Sequence, residues 1–130
     1  MKSLMLLAVL LFAVGLSSTA ATSNASSGPK KQKSVVQFNE PVRLMGVTLK
    51  GTYLFVHDDA LMAAGQACTS VYKGEAEIPS KLVVSFHCTP VQRQKVDSFV
   101  VRTELVGGFN ELREYQFSGE TESHMAPLGK

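Results

Sequence analysis

Residues 42–56 read VRLMGVTLKGTYLFV. Val42-Arg43-Leu44 and Val47-Thr48-Leu49 each alternate apolar with polar, and Met45-Gly46 between them is a turn candidate. Lys50-Gly51 marks a second turn signal, followed by Thr52-Tyr53-Leu54-Phe55-Val56, a run rich in β-branched and aromatic residues. The apolar period here is two, which places alternate side chains on one face of a strand. These residue types also fit a pleated, half-buried surface.

Outward from this stretch the same pattern recurs, and no window beyond Ser34 carries the 3.6-residue period of a helix. Residues 35–38 (VVQF) form the expected opening strand, ended by Pro41. Further strands are expected over 69–73, 82–89, 99–105 and 112–117, with Gly107-Gly108-Phe109-Asn110 as a hairpin loop between the last two. One short helical turn fits residues 60–64, capped by Asp58 or Asp59 and ended by Gly65. Six or seven short strands with polar turns predict an all-β domain, a small antiparallel β-sandwich or open barrel.

The chain has 130 residues, room for one domain. Its 13 Lys and Arg against 11 Asp and Glu give a net charge of +2, too balanced for a nucleic-acid binder. Residues 1–20 carry Lys2, an uncharged apolar run over 4–16, then small residues. That is the three-part pattern of a secretory signal peptide, cut after Ala20 or one residue later. The apolar run is shorter than the roughly 20 residues a bilayer requires, so no membrane span is expected once it is removed. Residues 21–33 (ATSNASSGPKKQK) predict a flexible arm, basic through Lys30, Lys31 and Lys33; Asn24-Ala25-Ser26 matches a glycosylation acceptor. The β domain is expected over 34–118 and a polar tail over 119–130. The setting implied is export, periplasmic or extracellular.

Cys68 and Cys88 are the two cysteines, and an exported chain normally pairs an even count. A hairpin setting Cys68 opposite Cys88, Val71 opposite Ser85 and Lys73 opposite Val83 brings the sulfurs together, closing a loop worth roughly 3 kcal/mol. The alternative is a zinc or copper site built from Cys68, Cys88 and His124, with His87 as a further candidate, because thiolates and imidazoles suit those ions. His87 and Cys88 are adjacent, so on a regular strand they face opposite ways and share an ion only through a bulge at Thr89-Pro90. His57-Asp58-Asp59 is a third possible metal cluster, weaker because helix capping already accounts for the aspartates.

Catalytic signatures are missing. There is no GxSxG elbow, P-loop or GxGxxG turn. Glu111, Glu114, Glu120 and Glu122 are carboxylates near the C-terminus, but a glycosidase needs two at a set separation across a cleft, and Glu111 with Arg113 is read as the solvent face of a strand. Tyr53, Phe55, Phe86, Phe99, Tyr115 and Phe117 are expected in the core, and there is no Trp to mark a carbohydrate platform. No cofactor is expected and no enzyme activity.

The segments FNEPVRLMGVTLKGTYLFV (38–56), VVSFHCTP (83–90) and EYQFSGETESH (114–124) resemble small exported proteins of unknown function from acidobacteria-type soil bacteria. The resemblance implies an all-β exported domain and brings no activity or site residue. The combined expectation is a non-enzymatic binding or structural protein of the cell envelope or secretome, acting on a protein or small-ligand partner. The alternative is a metal-handling protein using the Cys and His ligands.

Overall fold

The computed structural model describes residues 29–128. The leader pattern, the glycosylation motif and most of the arm lie outside these residues. The chain forms β1 (Lys31–Leu44), β2 (Val47–Asp58), the helical turn α1 (Asp59–Ala63), β3 (Thr69–Lys73), β4 (Leu82–Phe86), β5 (Thr89–Gln92), β6 (Val100–Val106), β7 (Phe109–Gln116) and β8 (Glu122–Met125). A 3₁₀ turn, Pro79–Lys81, leads into β4. Among the described residues no helix is long and apolar enough to cross a membrane.

All eight strands belong to one curled sheet, an open half-barrel rather than two stacked sheets. The order is β4-β3-β2-β1-β7-β8-β5, with β6 paired to β7. One junction is parallel, β1 to β7 at Arg43 and Glu111; the others are antiparallel. The fold is therefore all-β as expected, with one strand more than the sequence suggested and a mixed rather than purely antiparallel sheet.

β2 runs straight through the expected Lys50-Gly51 turn, and the strand expected over 82–89 is divided into β4 and β5. Three further boundaries differ from the expectation, each for a pairing reason. β1 does not end at Pro41; the residues between Phe38 and Val42 form a bulge, which accommodates the missing amide of proline, and the strand runs on to Leu44. β1 begins at Lys31, inside the stretch read as an arm, because Lys31, Gln32 and Lys33 pair with Asp58, His57 and Val56. The stretch read as a tail holds β8, which pairs with both β5 and β7.

Two hairpins are set by tight two-residue turns. Met45-Gly46 joins Leu44 to Val47, and Gly107-Gly108 joins Val106 to Phe109. All four loop residues have positive φ, the requirement of a type I′ turn whose twist matches the strands. Gly108 sits at φ +85 with open space where a Cβ would lie, so its constraint is backbone conformation alone. Gly108→Val is expected to destabilise the protein by about 1–2 kcal/mol, the cost of placing an L-residue in the left-handed region, read as a lowered urea midpoint at unchanged slope.

The core lies in the hollow of the sheet and includes Leu44, Leu49, Tyr53, Phe55, Val71, Phe86, Leu112, Tyr115 and Phe117. On β2 the alternation predicted from sequence holds: Tyr53, Phe55 and then His57 face inward. A bulge at Arg113, opposite the Arg102–Thr103 step, shifts the phase of β7 so that Leu112 and Tyr115 both face the core. The same shift turns Glu114 and Gln116 to the other face. Phe55, Phe99, Tyr115 and Phe117 form a chain of tilted and edge-on ring contacts with centroids 5.2–5.9 Å apart, a favourable arrangement for aromatic quadrupoles.

Candidate metal centre

One end of this core is polar. His57 comes from the last turn of β2, His124 from β8, Cys88 from the break between β4 and β5, and Cys68 from the residue before β3. His57 and Cys88 have no exposure and His124 and Cys68 are 2% exposed.

The two imidazoles stack with centroids 4.0 Å apart and planes 34° from parallel. His124 also stacks on Tyr115 at 5.1 Å, and the Tyr115 hydroxyl is hydrogen-bonded to Thr69. These aromatic walls fix the ring of His124. Its Nδ1 is 3.5 Å from Cys88 Sγ, and its Nε2 looks toward Glu122 Oε1 at 3.9 Å. His57, Cys88 and His124 each present a ligand atom, and these atoms all lie within 4.8 Å of one another. An ion holding a sulfur at about 2.3 Å and an imidazole nitrogen at about 2.05 Å in tetrahedral geometry separates those two donors by about 3.5 Å. The Cys88–His124 spacing needs no adjustment to meet that.

Hydrogen bonding within the cluster is incomplete. Both ring nitrogens of His57 are buried without a hydrogen-bond partner. Asp59 Oδ1 lies 3.3 Å from His57 Nδ1 but is not aligned to accept its proton. An unsatisfied buried polar group is unusual in a native structure. The Cys88 thiol has one hydrogen and three acceptors around it: Cys68 Sγ at 2.8 Å, His124 Nδ1 at 3.5 Å and Met62 Sδ at 3.8 Å. One proton serves only one of these, whereas a cation placed among them serves several.

Burial holds both histidines below the ordinary imidazole value, His124 to about 4, helped by the neighbouring His57. Both rings are thus neutral at physiological pH, the form that ligates a metal. Burial pushes the Cys88 thiol up to about 12, with the contact to Cys68 adding to the rise. A metal binding there displaces a proton.

The second cysteine is placed differently from the expected register. Val71 pairs with Val84 and Thr69 with Phe86, one residue off the pairing that sets Cys68 opposite Cys88. Cys68 instead donates its amide to the Phe86 carbonyl at 3.0 Å. The sulfurs still meet, because the alternation that buries Phe86 and exposes His87 carries on to Cys88, which faces the hollow of the sheet beside Cys68. They are thiols 2.8 Å apart, beyond the roughly 2.05 Å of a disulfide bond. The two cysteines are brought together as the sequence expects, with no disulfide bond between them in this structure. Cys88 also donates its backbone amide to Cys68 Sγ at 3.2 Å.

His87 leaves the candidate set. Its side chain is exposed and its Nδ1 contacts the Gln66 carbonyl at 3.0 Å, on the side of the chain away from Cys88. His57 takes its place. The sequence grouped His57 with Asp58 and Asp59, but Asp58 is the N-cap of α1, accepting from Ala60 at 2.9 Å and Leu61 at 3.3 Å. The period-two pattern Tyr53, Phe55, His57 is the signal that points this histidine into the core.

No family model, curated protein or solved structure matches the chain. The chemistry of the donor set therefore carries the functional reading.

Proposed function

We propose that the protein is a non-enzymatic, exported metal-handling domain that holds one soft transition-metal ion, zinc or copper, at His57, Cys88 and His124. The observation that carries this reading is His57: fully buried, both ring nitrogens unpartnered, beside a thiol and a second imidazole. Two neutral imidazoles and a thiolate are the ligand types these ions select. All ligands are held by strands or at strand ends of one sheet, and His124 is further fixed by Tyr115. Glu122 Oε1 lies 3.9 Å from the outer nitrogen of His124, beyond hydrogen-bond distance but on the side where a carboxylate orients a ligating histidine. The leader pattern at residues 1–20 supports export.

In an oxidising compartment the Cys68–Cys88 pair competes with the ion. With glutathione disulfide as oxidant, the two thiols form one S–S bond and release two reduced glutathione molecules, which take up the two electrons and two protons. Cys88 then has no thiolate to offer. The disulfide expected from sequence is on this reading the oxidised, metal-free form.

Native mass spectrometry checks both statements. The reduced protein is expected to carry one zinc or copper ion per chain, and Cys88→Ser or His124→Ala to carry none. Glutathione disulfide should strip the ion from the wild type but not from Cys68→Ser. Reduced wild-type protein that takes up neither ion, or Cys88→Ser that keeps one, defeats the reading.

A further inference from the structure

A fifth side chain reaches the cluster that no sequence pattern marked. Met62 is half-buried on α1, and its Sδ lies 3.8 Å from Cys88 Sγ. Two sulfurs bound tetrahedrally to one ion at about 2.3 Å each stand about 3.8 Å apart. By the same measure Cys68 is a poor co-ligand: its sulfur is 2.8 Å from Cys88, too close for both to sit on one ion at about 2.3 Å with tetrahedral angles. Building on the metal-holding reading above, we infer that the cargo is cuprous copper and that Met62 is its fourth ligand, completing a His57, His124, Cys88, Met62 set.

Three physical arguments converge on this ion. A thioether is a soft, uncharged donor that binds Cu(I), whereas protein zinc sites draw on thiolate, imidazole and carboxylate. Charge balance points the same way. Cu(I) with one thiolate and three neutral donors is a neutral complex, while Zn(II) with the same donors leaves a net positive charge inside a site with almost no exposure. Finally, no carboxylate belongs to the mutually close donor group. The Asp58 side chain is engaged in capping, Asp59 accepts the Lys30 amide through Oδ2 at 3.2 Å and has Oδ1 3.3 Å from His57 Nδ1, where it would address the ring rather than the ion, and Glu122 lies 3.9 Å from the outer nitrogen of His124.

The position of Met62 follows from the local fold. His57 ends the inward face of β2, Asp58 caps the turn that starts at once, and α1 folds back so that its fourth residue, Met62, packs against the same core. The Asp58 amide donates to the Cys68 carbonyl at 2.9 Å, tying this cap to the cysteine side of the site. A single helical turn thus carries a soft ligand over a site whose other ligands belong to the sheet.

The test compares wild type and Met62→Leu, an apolar swap of similar volume, by anaerobic Cu(I) titration against a chromophoric Cu(I) chelator and by Zn(II) titration against a zinc chelator. Met62→Leu is expected to lose at least about tenfold in Cu(I) affinity, since even residues that only orient a ligand contribute about 10–100-fold, with Zn(II) affinity unchanged. X-ray absorption of the Cu(I) form should count two sulfur neighbours in the wild type and one in the variant. If Met62→Leu binds Cu(I) as tightly as the wild type, or the wild type prefers Zn(II), the copper assignment is overturned while the metal-holding reading survives. If neither ion binds the reduced wild type, both fall together.

Discussion

His57→Leu should make the metal-free protein more stable and at the same time abolish metal binding. In the native chain the imidazole has no exposure and both of its nitrogens lack partners. A buried polar group left unsatisfied costs about 1–3 kcal/mol, and leucine removes that cost while keeping most of the volume against His124. For a domain of about 100 described residues, 1 kcal/mol moves the melting temperature by about 4–8 °C. Saturating metal should reverse the ranking. An ion at one thousand times its Kd adds about 4.1 kcal/mol to the wild type and nothing to the variant. The expected order of melting temperature is therefore loaded wild type, then His57→Leu, then metal-free wild type. Calorimetry with and without Cu(I) or Zn(II), in reductant, reads all three. A His57→Leu protein less stable than metal-free wild type would mark the histidine as a structural residue and remove the central support for the site.

This pairing of local instability with function explains which parts of the site were legible in the sequence. The strands follow from a local signal, alternation, and the run around Tyr53 and Phe55 identified the core face correctly. The same alternation extends to His57, but the two aspartates after it read as a capping segment, and they cut the strand short at Val56. What carries β2 on to Asp58 is its pairing with Lys31 and Gln32, a contact between distant residues that local reading does not contain. Cys68 and Cys88 were paired by a hairpin register one residue off. The turn chemistry around Pro79 gives the approximate centre of that hairpin but not the irregularity between Val71 and Tyr72 that sets its register. Adjacency made His87 a candidate, and strand geometry correctly set it on the opposite side from Cys88. Met62 had no signal at all, since a single thioether on a five-residue helical turn acquires meaning only from what tertiary packing brings beside it. β8, the strand that carries His124, was read as tail because Gly119 and its polar neighbours hide a short strand whose apolar content is slight.

The second large effect is expected at Glu114, on the opposite face of β7 from the metal ligands. Glu114 is 4% exposed, yet it is ionised and fully engaged. Arg93 donates to both its oxygens, at 2.9 and 2.7 Å, in the fork geometry that suits a carboxylate. Arg102 adds a bond at 2.9 Å and the Ser123 hydroxyl one at 2.7 Å. The guanidinium of Arg93 is the main reason its carboxyl is held at about 2, well below the usual 4.5; burial works against the drop, and Ser123 and Arg102 assist it. The network pins the β5–β6 connection, through Arg93, onto β7 and β8, and so supports the strand that presents His124. A depressed folded-state value contributes stability that is complete above the unfolded value near 4.5 and is lost as pH falls through about 2. The 4.5-to-2 difference corresponds to at most about 3 kcal/mol, reduced by solvent screening because Arg93 and Arg102 are themselves 43% and 36% exposed. Urea unfolding of the wild type should accordingly show its midpoint falling between pH 5 and pH 2. Glu114→Gln, with the charge removed and the shape kept, should be less stable than wild type at pH 7 by about 2 kcal/mol. The gap between the two proteins should close toward pH 2, where the wild-type carboxylate is itself protonated. A Glu114→Gln protein that tracks the wild type at every pH would show that the two arginines are satisfied by water, and that β8 is held in place by its strand pairing alone.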